Sequence, residues 1–176
     1  MMRRQILKTV VVAVVSLILF NACSKDPENL IEGTWKVTSN TITINTPENE
    51  YNRLLIQGIN DHPYAYGMLL NVGSEWVFYK SHLTRSYTYE PAYRYYSSDY
   101  STIESITYED FESTSSLSTY EVSDDILRVF DDFGIEHQYD IEKLSRNKLV
   151  LVHEYDWFDG YAYKVNFTVR AVFEKQ

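Results

Sequence analysis

YAYKVNFTVRAVFEK, residues 161–175, alternates almost without interruption. Tyr161, Tyr163, Val165, Phe167, Val169, Ala171 and Phe173 share one parity, and mostly polar residues stand between them. Successive side chains of a strand point to opposite faces, so this pattern describes one long strand with a single buried face. The same period returns upstream. Ile135, His137, Tyr139 and Ile141 alternate with Glu136, Gln138, Asp140 and Glu142, and Leu127 and Val129 flank Arg128. Leu149–Val152 is a short apolar run that suits a buried strand. Ser123-Asp124-Asp125, Asp131-Asp132-Phe133-Gly134 and Ser145-Arg146-Asn147 separate these segments with the residues of tight hairpin turns.

Nearer the N-terminus, Trp76–Tyr79 and Leu83–Tyr89 read as a further pair of strands. Trp35 and Val37 share one parity, but Ile42 and Ile44 share the other. Keeping one face buried across that switch requires a bulge or bend near Ser39–Thr41. The expectation is an all-β chain of about eight strands, at 34–45, 75–80, 83–90, 117–123, 126–131, 135–143, 148–156 and 161–174. Sixteen tyrosines against six glycines and four prolines agree with that class. Two connections are long. In 46–74, Thr46 as N-cap, Pro47 at the first helical position, Glu48 and Glu50 in the first turn and Gly58 as a stop predict a short helix between strands one and two. Residues 91–116 are rich in Tyr and Ser and show no clear period, which leaves a partly ordered loop or a ragged extra strand.

The first 22 residues differ in kind. Arg3, Arg4 and Lys8 precede an apolar run from Val10 to Phe20, too short to span a bilayer but suited to a signal peptide. Phe20-Asn21-Ala22-Cys23 then resembles a bacterial lipobox. That resemblance implies an acylated Cys23 thiol and a cleavage that leaves Cys23 as the mature N-terminus. The alternatives are a plain signal peptide or an ordinary buried thiol. The expected organisation is a leader over 1–22, lipidated Cys and linker over 23–32, and one barrel domain over 33–176. Ser24-Lys25-Asp26-Pro27-Glu28 is either a solvated tether or a surface-export signal like those of some Gram-negative lipoproteins. Several acyl chains anchor firmly, since each buried methylene contributes about 0.8 kcal/mol. The expected location is the cell envelope, at the outer membrane, with the face open. Cys23 is the sole cysteine, so the exported domain holds no disulfide of its own. The formal net charge is −9, and it falls to −12 once Arg3, Arg4 and Lys8 leave with the leader. That excess of acid argues against nucleic acid as a partner.

Eight strands in simple order suit an up-and-down antiparallel barrel. Leu30-Ile31-Glu32-Gly33-Thr34-Trp35-Lys36-Val37 resembles the opening of the lipocalins, a Gly-x-Trp that begins the first strand. Tyr120–Leu127 and the paired strands through His153 resemble the middle hairpins of lipocalin-like domains in bacterial envelope lipoproteins. The likeness spans residues 30–174, with Gly33-Thr34-Trp35 as its one recognisable motif. It implies that a C-terminal Arg packs over Trp35 and closes the barrel floor, which makes Gly33, Trp35 and Arg170 the floor residues. Strict alternation nevertheless puts Arg170 outside, so that contact needs a bulge or a place below the rim. An immunoglobulin-like sandwich is the alternative fold.

In an up-and-down barrel, alternate connections share an end. Segments 46–74, 91–116 and 156–160 therefore belong to one rim, the mouth, and the tether enters at the opposite floor. Leu54, Leu55, Tyr64, Tyr66, Tyr93, Tyr95, Tyr96, Tyr100, Trp157 and Phe158 are the candidate mouth residues. Rings on loops stack on sugars and apolar ligands and also serve protein interfaces. Two readings follow: a small apolar or glycan-like ligand in or at the mouth, or a filled barrel whose aromatic rim grips an envelope protein partner. No enzymatic chemistry, cofactor or metal is expected. His62, His82, His137 and His153 lack metal-ligand spacing, and Asp124-Asp125 and Asp131-Asp132 read as solvated turn residues.

Overall fold

A computed structural model describes residues 27–67, 70–158 and 163–176. Cys23 and the leader lie outside these residues, as do Tyr161 and Ala162 of the stretch quoted above. Helix α1 (Pro27–Ile31) leads into β1 (Gly33–Ile44). Helix α2 (Arg53–Asp61) and a 3-10 turn (Pro63–Ala65) precede β2 (Glu75–Tyr79) and β3 (His82–Tyr89). Then come β4 (Ala92–Tyr96), β5 (Ile103–Tyr108), β6 (Glu112–Ser123), β7 (Ile126–Phe130), β8 (Glu136–Leu144), β9 (Lys148–Phe158) and β10 (Lys164–Lys175).

Eight of the strands close into an antiparallel barrel in the order β1-β10-β9-β8-β7-β6-β3-β2, with β1 bonded to both β10 and β2. Neighbours in sequence are neighbours in space once β4 and β5 are set aside, so this is the up-and-down barrel that the alternation predicts. β4 and β5 form a separate two-stranded sheet. The aperiodic 91–116 stretch is thus mostly a hairpin, and β6 begins five residues earlier than its pattern suggests.

The interior follows the parities. Val165, Phe167, Val169, Ala171 and Phe173 of β10 are buried, as are Leu149 and Leu151 of β9, Tyr139 and Ile141 of β8, and Leu127 and Val129 of β7. On β1 the register against β10 shifts between Val37 and Ser39, which turns Trp35, Val37, Ile42 and Ile44 to the same side. The bulge therefore lies one or two residues before its expected place. Outside, the barrel exposes Lys36, Glu75, Glu121, Glu142, Glu154 and Glu174. A barrel with charges outside and apolar side chains inside reverses the pattern of a membrane-spanning one. Among the described residues no helix is long and apolar enough to cross a membrane.

Short hairpins join the strands at one end. Asp124 and Asp125 both take positive φ (50° and 62°), as a two-residue hairpin turn requires, and Asp tolerates that region better than most residues. Here α1 seals the floor. Ile31 is fully buried, and Trp35 donates from Nε1 to the Ile31 carbonyl at 2.6 Å.

Arg170 does not take part in this seal. Its parity turns it outward, where Nε and Nη2 hold both oxygens of Glu142 at 2.6 and 2.7 Å. The cation over Trp35 is Lys175, its Nζ 5.0 Å from the ring centre and donating to the Leu30 carbonyl at 3.2 Å. Lys175 pairs directly with Trp35 in register, which is why it and not Arg170 reaches the ring. Gly33 sits at φ +122°, and a Cβ there would stand 2.7 Å from Lys175 Cε, so the glycine leaves room for that lysine stem.

Candidate functional site

The other end of the barrel is built from long connections. α2 lies across it with Leu55, Ile56 and Ile59 buried. The helix starts later than its punctuation suggests, at Arg53, with Asn52 in the N-cap place and no side-chain cap bond. Thr46 instead accepts from the Asn166 amide at 2.7 Å and ties the loop to β10. Gly58 is not a stop. It lies inside the helix, where a Cβ would come within 2.3 Å of Tyr108 Oη and 2.7 Å of Tyr66 Oη. The glycine lets two phenols close onto the helix backbone, and those phenols are 3.5 Å apart.

The β4–β5 hairpin leaves the barrel between β3 and β6 and reaches residues on the far side of the mouth. The Ile103 amide donates to Tyr163 Oη, just before β10, at 2.7 Å. The Arg94 guanidinium lies 4.0 Å over the Trp157 ring on β9 and 5.8 Å from Tyr66. The hairpin is therefore a lid. His62 joins both of its stems: Nδ1 is 2.9 Å from Glu90 Oε2, and its ring stacks on Tyr108 at 3.6 Å. Burial and the Tyr66 phenol push the Tyr108 hydroxyl well above the usual tyrosine range. Tyr64 meets Phe111 edge-on at 5.4 Å. An open cleft of about 670 Å³ runs outside this seam, lined by His62, Glu90, Tyr108 and the acidic 109–112 segment.

The candidate mouth residues divide into two sets. Leu55 and Tyr66 are buried, and Leu54, Tyr64, Tyr96 and Trp157 are partly buried. Of these, Leu54, Leu55, Tyr66, Tyr96 and Trp157 belong to, or pack against, the apolar core. Tyr93, Tyr95, Tyr100 and Phe158 are exposed, each by half or more. Tyr93 and Tyr95 share the outer face of β4, while Arg94 and Tyr96 turn toward the barrel. Phe111 joins the exposed set and Ile103 the buried one, and neither stands out in the sequence because the hairpin lacks a period.

Below the lid, aromatic rings fill the barrel. Trp76 meets Phe173 at 5.3 Å and Tyr139 at 5.4 Å, and Tyr155 stacks on Phe167 at 5.0 Å. His153 lies between Tyr139 and Tyr155, and burial lowers its pKa. Arg85, on the inward parity of Leu83 and Tyr87, stands among these rings. A charged residue on the buried parity of a strand is the signal that marks it in the sequence. His137 sits 3.5 Å from Asp131, whose other oxygen accepts the Phe133 and Ile135 amides, so Asp131 is a turn residue. Ile135 lies exposed in that turn and outside the strand. Among the described residues no group of three or more His, Cys, Asp or Glu is arranged to hold a metal ion.

No family model matches the chain, and no curated protein matches it. Solved structures do. A lipocalin-like protein from Bacteroides uniformis ATCC 8492 aligns over 84% of this chain and 99% of its own, at 13% identity and a TM-score of 0.40. Bovine odorant binding protein in complex with its natural ligand aligns over 88% of this chain and 76% of its own, at 15% identity and a TM-score of 0.44. A deswapped triple mutant of the same bovine protein gives 14% identity and a TM-score of 0.43. At that distance the likenesses say nothing about what this chain binds. The closed eight-stranded barrel stands on its own strand pairing.

Proposed function

We propose that this chain is a lipid-anchored envelope protein that holds a small, largely apolar ligand at the mouth of its barrel, beneath the β4–β5 lid. One observation carries the reading: the mouth is covered by an element from a different sheet than the barrel. A barrel that served only as a solid scaffold would gain more from short turns at both ends. A lid joined through side-chain contacts can part without breaking barrel pairing. The anchor is Cys23, on the lipobox resemblance, and the tether enters β1 at the sealed floor. That arrangement turns the mouth away from the membrane.

Native mass spectrometry of the chain purified from its own host tests the carrier reading. A discrete added mass that disappears when Trp157 becomes Ala is the expected result, and a bare mass counts against it. Radiolabelled palmitate incorporation that Cys23→Ser abolishes is the expected result for the anchor. The exposed rings of Tyr93, Tyr95, Tyr100, Phe111 and Phe158 favour a second reading, in which the lid's outer face grips an envelope protein. Cross-linking in cells from position 95 separates the two: one protein adduct of fixed mass supports the second reading.

A further inference from the structure

β7 ends at Phe130 and β8 begins at Glu136, while β6 starts at Glu112 and β9 runs on to Phe158. β6 is bonded to β7 only from Thr119 to Ser123, and β9 to β8 only as far as Val152. Above the β7–β8 turn the barrel wall therefore has a notch, with a free strand edge on each side. Successive residues of an antiparallel strand bond to opposite neighbours. Tyr120 donates its amide to the Ser81 carbonyl, so the even residues of β6 bond toward β3 and the odd ones toward the notch. Ser113, Ser115 and Leu117 are exposed, and among the described residues their amides and carbonyls meet no backbone partner on that side.

The two edges are not alike. An edge is ordinarily guarded by charge, proline or a bulge. β9 carries the exposed Glu154 and Asp156 along its free edge. From Ser113 to Thr119 β6 has no charge and no proline, and its register runs unbroken. Exposed apolar side chains bracket the same stretch: Phe111 above it, Leu117 within it, and Phe133 and Ile135 below it at the β7–β8 turn. A twofold axis through Ser115 exchanges top and bottom. It sets Ser115 against Ser115 and Ser113 against Leu117, so every free amide and carbonyl of the three gains a partner. It also brings Phe111 of one copy to Thr119 of the other, beside a hollow of about 200 Å³ lined by His82, Leu117 and Phe130.

From this self-complementarity we infer that β6 is an interface for a second copy of this chain, paired edge to edge and antiparallel about Ser115. Charge opposes the approach. Glu112 of one copy comes near Asp131 and Asp132 of the other, and both copies are acidic overall. The pairing therefore draws on backbone bonds and apolar contact, and salt strengthens it by screening the repulsion. The axis turns the two mouths to opposite ends. Two anchored copies on one bilayer thus lie on their sides with the axis along the membrane normal, whereas a single copy stands on its floor.

The test uses the full chain in a non-ionic detergent and hydrogen exchange at rising protein concentration. The amides of Ser113, Ser115 and Leu117 are expected to exchange at least tenfold more slowly at high concentration than at low, and more slowly again in high salt. Ser115→Pro removes a donor that the barrel does not use. It should abolish this concentration dependence and leave the melting temperature at low concentration unchanged. Ser115→Lys should do the same, and it serves if the proline variant does not fold. Phe111→Ala should weaken the association severalfold. In a Cys23→Ser background, Ser115→Cys should oxidise to a disulfide-linked pair, since facing residues of such a ladder lie within disulfide reach. Thr84→Cys, on the outer face of β3, should not. Fast exchange at every concentration would overturn the interface. Slow exchange that ignores concentration would mean that the edge is covered within one chain, and would overturn it as well. Protection that survives both Ser115 variants, or that salt weakens, would overturn edge pairing. Linkage at position 84 as readily as at 115 would overturn the register.

Discussion

The two ends of this barrel are closed by opposite means. At the floor the strands turn back within a few residues, and the one added element, α1, runs directly into β1. Its seal consists of Trp35 bonded to the Ile31 carbonyl and roofed by Lys175. At the mouth, α2 and the β4–β5 sheet arrive through connections many residues long and are held by rings, phenols and one stacked guanidinium. Short connections tie floor contacts to barrel pairing, so they are lost only on unfolding. Mouth contacts can be lost one group at a time. The same strands thus carry a rigid end and an operable one.

The largest test strikes the floor. Trp35→Ala should cost about 3–5 kcal/mol of global stability, seen as a lowered denaturation midpoint in urea, because deleting a fully buried indole leaves a cavity in its place. A cost below about 1 kcal/mol would break the comparison. Gly58→Ala acts at the mouth. Its Cβ would drive Tyr66 and Tyr108 off the helix at about 1–3 kcal/mol, and faster amide exchange should be confined to α2 and residues 90–111. Arg94→Ala should release the lid from Trp157 at about 0.5–2 kcal/mol, with faster proteolysis in the hairpin and an unchanged barrel melting point. A uniform loss of protection in either mouth variant would mean that lid and barrel unfold as one.

The pH dependence sharpens the picture inside. Burial lowers the His153 pKa, so the unfolded chain takes up that proton more readily than the folded one. The stability held by neutral His153 is complete above its ordinary value of 6.5 and is lost as the pH falls toward the lowered folded value. His153→Gln should flatten the melting temperature between pH 7.5 and 5.5. The smallest contrast pairs two cations. Lys175→Ala should lose about 0.5–1 kcal/mol through the Trp35 contact, whereas Arg170→Ala, on the solvated outer face, should melt with the wild type.

Alternation exposed the barrel because each strand buries one face, and the parity switch between Val37 and Ile42 exposed the bulge. Strand order then placed three long connections at one rim. The lid stayed hidden for a physical reason: its hairpin carries rings on both faces, Tyr93 and Tyr95 outward and Tyr96 and Tyr108 inward, so polarity does not alternate with direction. Thr46 and Pro47 imitate a helix start, but the Thr46 hydroxyl is engaged by Asn166. Arg170 was misplaced by resemblance where parity alone pointed to the outside, and the same parity puts Lys175 with Phe173. Arg85 sits on an inward position that the sequence reading passed over, and its lack of a carboxylate partner shows only when the neighbouring strands are in place.

The bond between the start of β1 and the residue after β10 at the floor has a mechanical consequence. β1 is flanked by β10 on one side and β2 on the other, and the Gln176 amide closes onto the Thr34 carbonyl at 2.9 Å. Tension applied at the start of β1 pulls along the axis of that strand. Its rungs to both neighbours then bear the load in parallel and must slip together, so the barrel resists being drawn out from this end.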